Sequence, residues 1–173
     1  PDPANRQPTD DFILFDSATN RLYVNGQIEI DGNLEFTGKA NDQYINYTGR
    51  AAILANGDVT IDTDLLSMNE DGTTANSYPA ANCIGVMAAN NMYVGVSSQL
   101  KIMGGFYAQN QIKTSKQTII MGTFVSDYFD MGSQVPDIYQ VPELADNLPY
   151  GMIGAYPILT FLQVSWRELG VDV

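Results

Sequence analysis

The chain contains no histidine and a single cysteine in 173 residues. Without histidine it lacks the commonest general base and the commonest metal ligand, so every Ser-His or Cys-His arrangement is excluded. Cys83 has no second thiol for an internal disulfide or a zinc set. It reads as a small buried apolar residue. Charge is scarce too, at 16% of residues, and basic charge scarcest: 8 Lys and Arg face 20 Asp and Glu, a net charge of −12. That balance argues against nucleic acid and anionic membranes, which select basic surfaces. No stretch approaches the ~20 apolar residues of a membrane helix, and no segment carries a stripe of helical period. No signal peptide pattern is present either. Residues 1–11, PDPANRQPTDD, read as a polar linker. A first residue other than Met leaves room for an upstream anchor.

What the chain does have is repetition. LYVNGQIEI from Leu22, ILANGDVTI from Ile53, VMAANNMYV from Val86 and FYAQNQIKT from Phe106 share one pattern, and a degraded fifth copy starts at Phe124. Apolar residues alternate on either side of a polar triplet, which means strands with one buried face. The triplets Asn25-Gly26-Gln27, Asn56-Gly57-Asp58, Ala89-Asn90-Asn91 and Gln109-Asn110-Gln111 are corner chemistry. Val86 and Phe106 are 20 residues apart, and SQLKIMGGF from Ser98 recurs as KQTIIMGTF from Lys116, 18 residues on. Three strands of ~5 residues with their corners fill such a period. The wider spacing of the earlier copies implies insertions, at Asn41–Tyr47 and Asn69–Asn82.

The expected fold is all-β: a right-handed parallel β-helix (β-solenoid) with coils of about 18–20 residues, spanning residues 12–134. Residues 135–173 form a Pro-rich capping tail ending in PILTFLQVSWREL. An antiparallel meander is the competing fold, because NG between alternating apolars is also a hairpin signal. The solenoid accounts better for the paired 18-residue repeat, since equivalent positions stack on their own copies. Its register puts Leu100, Ile102, Gly104, Phe106, Ala108, Thr118, Ile120, Gly122 and Phe124 inside. Ile102→Ala is then expected to cost ~2–5 kcal/mol.

The run YTGRAAILANGDVTI, the coils, the segment NLPYGMIG and the late WREL resemble the C-terminal β-helical region of bacterial PilX-like pilus-assembly proteins, over about Leu22 to Leu169. The coils bear a weaker likeness to bactofilins, which are cytoskeletal polymers. The first resemblance implies an exported, non-enzymatic structural or adhesive module. It would belong to a type IV pilus or related surface filament, extracellular, on the cell surface or in the periplasm. The family's hydrophobic N-terminal helix, the expected anchor, is not in this sequence. Implied partners are proteins, either pilus subunits or a second copy.

No catalytic set and no cofactor site is expected. Asp58, Asp62 and Asp64 are weak calcium candidates: Asp62 and Asp64 share a strand face, yet they equally suit solvated positions flanking Ile61. Asp127 and Asp130 lie in the degraded fifth corner, where Asp is a good turn residue. Asn69-Glu70-Asp71-Gly72 reads as a turn, and Asn46-Tyr47-Thr48 matches a glycosylation sequon. Residues 72–126 hold no acid and three lysines, Lys101, Lys113 and Lys116. The odd positions Met103, Tyr107, Ile119, Met121 and Val125 form an outward apolar stripe, which with those lysines makes the candidate interaction patch. The segment Ile158–Leu162 is the expected cover. A carbohydrate-binding or carbohydrate-active β-helix is an alternative, with ten tyrosines and Trp166 as stacking platforms. A bactofilin-like polymer is another.

Overall fold

The computed structural model describes residues 10–38, 44–69, 71–72 and 78–153. Eleven strands form one mixed sheet: β1 (Phe12–Asp16), β2 (Arg21–Ile30), β3 (Leu34–Thr37), β4 (Tyr44–Ala55), β5 (Val59–Asp62), β6 (Asp64–Ser67), β7 (Cys83–Ala88), β8 (Asn91–Val94), β9 (Lys101–Thr114), β10 (Ile119–Asp130) and β11 (Asp137–Tyr139). A short 3-10 helix, Pro142–Asp146, follows. Among the described residues only β1 and β2 run antiparallel. The other pairings are parallel, so beyond the β1–β2 turn the paired strands are joined by crossovers rather than hairpins.

The parallel ladders align apolar residues in three columns. Ile45, Leu65, Ile102 and Ile120 form one. Ile28, Ile53, Val86, Phe106 and Phe124 form the second. Leu34, Val59, Met92, Ile112 and Phe129 form the third. All three feed one apolar core. The long strand β9 contributes Ile102, Phe106 and Ile112, one to each column, so it must bend twice. The first bend falls at Gly104 (φ 150°), where an added Cβ would lie 2.6 Å from the Ile84 carbonyl oxygen. Gly122 pairs with Gly104 and repeats the conformation (φ 151°). Only glycine fits where backbone packs on backbone at positive φ.

The bend between the second and third columns is held by a polar ladder. Asn33 Oδ1 accepts the Asp58 N–H (2.9 Å), and Asp58 Oδ1 accepts the Asn91 N–H (3.0 Å). Each side chain thus satisfies a corner N–H that no strand partner serves.

The register of the last two long strands is as the alternation requires. Leu100, Ile102, Phe106, Ala108, Thr118 and Ile120 are buried, and Phe124 is partly buried against the same core. The first repeat differs. Leu22 pairs with Tyr47, whereas Ile28 is the residue aligned with Ile53. The true first copy therefore starts at Ile28, and its corner is Asp31-Gly32-Asn33. Asn25-Gly26-Gln27 is not the counterpart of Asn56-Gly57-Asp58: it lies within β2, paired with Arg50-Ala51-Ala52, with Gly26 at positive φ (80°). The supposed insertion at Asn41–Tyr47 is also shorter, because Tyr44–Tyr47 already pairs with β6. Within 135–173, Asp137–Tyr139 still extends the sheet as β11. The segments Ile158–Leu162 and Trp166–Leu169 lie outside the described residues.

Candidate interaction surface

Beside each buried column, the alternate residues of β4, β7 and β9 point outward. Ala52, Leu54, Met87 and Tyr107 gather there into a second apolar cluster, which Leu148 and Met152 cover from the C-terminal segment. Met152 lies close because two glycines leave room: a Cβ at Gly85 would sit 2.6 Å from its sulfur, and one at Gly105 2.8 Å from its methyl. Arg50 holds the segment in place. Its guanidinium donates to the carbonyls of Pro79 (2.7 Å), Ala80 (2.6 Å) and Asn147 (2.7 Å), and at 3.4 Å to that of Leu148. One fork of five donors thus ties two loops to β4. Arg50→Ala should cost about 2–4 kcal/mol by leaving charge-assisted hydrogen bonds unmade. Arg50→Lys should rescue little of it, because a point charge cannot serve both loops. Urea unfolding measures the loss, and earlier proteolysis near Asn147 should accompany it.

Cys83 lies under this clamp, fully buried. Burial pushes its thiol up to about 12, although the nearby Arg50 charge pulls the other way. Native protein at pH 8 should therefore give almost no thiol reaction with a disulfide reagent, and one equivalent once denatured. Rapid native labelling would contradict the packing.

Next to the second cluster runs an apolar groove of about 250 Å³, lined by Tyr107, Val125, Val141, Leu144, Leu148 and Met152. Two residues of the expected stripe, Tyr107 and Val125, meet here as paired neighbours on β9 and β10. Met103 and Met121 pair likewise, as do Lys101 and Ile119. Burial divides the stripe: Met103 packs partly against the core, Tyr107 joins the covered cluster, and Ile119 is half-buried. Met121 and Val125 remain exposed, at 41% and 50%.

The lysines do not share one face. Lys101 begins β9, where its backbone N–H donates to Asp64 Oδ1 (2.7 Å). Lys113 lies near the other end of β9, with Nζ 3.1 Å from Asp130 Oδ2. Lys116 is exposed in the connection to β10. Asp130 also accepts the Gly132 N–H, and this bond first, then Lys113, holds its carboxyl below the usual range. The stabilisation is complete above the ordinary carboxylate value of ~3.9 and is lost as pH falls through the lower folded value.

Asp58, Asp62 and Asp64 are each engaged by a separate later strand or corner. Asp58 accepts from Asn91, Asp62 from the N–H and hydroxyl of Ser97, and Asp64 from Lys101. Among the described residues no group of three or more His, Cys, Asp or Glu converges as a metal set. In the Asn69–Gly72 stretch the Gly72 N–H donates to the Asn69 carbonyl (2.9 Å). In the sequon, Tyr47 and Thr48 are buried and Asn46 is half-buried in mid-sheet. Arg50, Leu148 and Met152 were not singled out as site residues from sequence. Rarity was the one available signal for Arg50, one of 8 basic residues.

Known proteins add no further constraint, since no family model, curated protein or solved structure matches the chain.

Proposed function

We propose that the chain is a right-handed parallel β-solenoid acting as a non-enzymatic structural or interaction module of an exported surface filament of the type IV pilus kind. The observation that carries this reading is the alignment of apolar columns through successive parallel strands. Parallel crossovers within one sheet are right-handed in ~98% of cases, and stacked short strands at an 18-to-20-residue spacing close naturally into coils. Asp58, Asp62 and Asp64 are each bound up in a backbone hydrogen bond. A rigid stack of this kind suits presentation of a surface better than turnover of a substrate.

The test is immunogold labelling of intact cells and of thin sections of the source organism with antibodies to the purified chain. Label on surface filaments is expected. Label confined to the cytoplasm would remove the exported-filament reading.

A further inference from the structure

We propose that the outer edge of β10, from Thr123 to Asp130, accepts one extended strand from a partner protein, apolar at alternate positions and flanked by Lys or Arg. This deepens the interaction-module reading and rests on it. On its inner side β10 pairs with β9 from Ile119 to Asp130, with a register shift at Asp127; on its outer side, among the described residues, only Ile119–Met121 pair, with β11. Among the described residues no strand pairs with 122–130 on that side. A bare strand edge is a template for another strand, and proteins either cover it or use it.

The side chains at this edge also lack a next rung. Phe124 and Phe129 meet edge to face at 5.8 Å but are only partly buried, whereas Phe106 and Ile112, their partners on β9, are fully buried. A recess of about 290 Å³ beside them is lined by Thr123, Phe124, Ser126, Phe129, Ile138 and Gln140, with Gly122 at its end. Of the 13 exposed large apolar side chains among the described residues, nine lie between Met121 and Ile153, so this end carries most of the bare apolar surface described.

Charge selects the partner. Residues 122–153 contain Asp127, Asp130, Asp137, Glu143 and Asp146 and no Lys or Arg. Lys113 pairs with Asp130. A basic strand is attracted to this end and an acidic one repelled. A second copy is a poor occupant. Its opposite end exposes Asp11, Glu29 and Glu35. Stacking in register would also force β1 of one copy and β11 of the other into a single interstrand gap of ~4.8 Å.

The probe is a synthetic peptide, Lys-Lys-Gly-Thr-Phe-Val-Ser-Lys-Lys, which copies residues 122–126 and would extend the columns by one rung. It is titrated into the full 173-residue chain at low salt, against the same core flanked by glutamates. The lysine peptide should bind saturably and at least ~10-fold tighter, with the difference shrinking as salt screens the charges. Backbone amide shifts should centre on 122–130. Asp127→Lys, at an exposed position that leaves the core intact, should remove or reverse the preference. Equal affinities, absence of saturable binding, or shifts elsewhere would overturn the proposal. So would concentration-dependent self-association abolished by Asp127→Lys, which would assign the edge to a second copy. Binding seen only after removal of residues 154–173 would overturn it by assigning the edge to the chain itself. None of these failures touches the surface-labelling result, so the two readings fail separately.

Discussion

Replacing Phe106 with alanine should lower the unfolding free energy by about 3–5 kcal/mol. Phe106 has no solvent exposure and sits inside the second column, between Val86 and Phe124. Its ring meets Phe124 edge to face, with centroids 5.3 Å apart at 88°. Truncation removes the ring's own transfer energy, opens a cavity between two stacked strands, and deprives Phe124 of one of its two ring partners. Because β10 pairs directly with β9, and β11 with β10, the loss should be felt most at the C-terminal end, in β10 and β11. Gln109→Ala, at an exposed position on the same strand, is the control and should stay within about 0.5 kcal/mol. Denaturant unfolding of the three proteins measures both effects. Equal midpoints for Phe106→Ala and Gln109→Ala would mean that Phe106 is not in a packed interior.

Gly122→Ala should be comparably damaging, at about 3 kcal/mol or more, although it only adds a methyl group. The added Cβ would lie 1.8 Å from the Gly104 carbonyl oxygen, a backbone atom fixed by the neighbouring strand. Left-handed backbone alone costs a non-glycine residue roughly 1–2 kcal/mol. The remainder comes from forcing β10 away from β9 at the bend. Gly32→Ala separates the two contributions. Gly32 also has positive φ (107°), but nothing lies within 4 Å of its added Cβ. It should therefore lose only the conformational part. If both substitutions cost the same, the close approach of Gly122 to Gly104 is wrong.

The strand alternation and the paired 18-residue repeat were legible because they reflect burial, and burial leaves a period-two record in residue type. The inside set from Leu100 to Ile120 follows from it directly. The first repeat reads six residues early in the sequence, from Leu22 instead of Ile28, for a physical reason. Asn-Gly and Asp-Gly satisfy the same turn requirements, so Asn25-Gly26 and Gly32 with its neighbours look equally like corners. Pairing decides between them, and pairing is not local. The antiparallel strand β1 escaped notice likewise, because its alternation is indistinguishable from that of a parallel strand. Asp58, Asp62 and Asp64 appeared as possible ligands because sequence shows residue type without partner; the N–H groups they accept from lie more than thirty residues away. The outward stripe was legible as alternation, but its partial cover by Leu148 and Met152 depends on Arg50 and two glycines that no periodicity marks.

Disulfide trapping tests the parallel, in-register stack most directly. Two double-cysteine proteins are made in a Cys83→Ser background: Lys101→Cys with Ile119→Cys, and Lys101→Cys with Val125→Cys. In a parallel ladder residue 101 pairs with residue 119, whereas residue 125 pairs with Tyr107 beyond the bend at Gly122, up to ~20 Å further along the strand at ~3.3 Å per residue. Disulfides do not form when Cα atoms are more than ~7 Å apart. The account predicts rapid oxidative cross-linking of the 101/119 pair and none of the 101/125 pair. An antiparallel arrangement of the same two segments would bring 101 close to 125 and reverse the result. Cross-linking of 101/125 without 101/119 would contradict the stack.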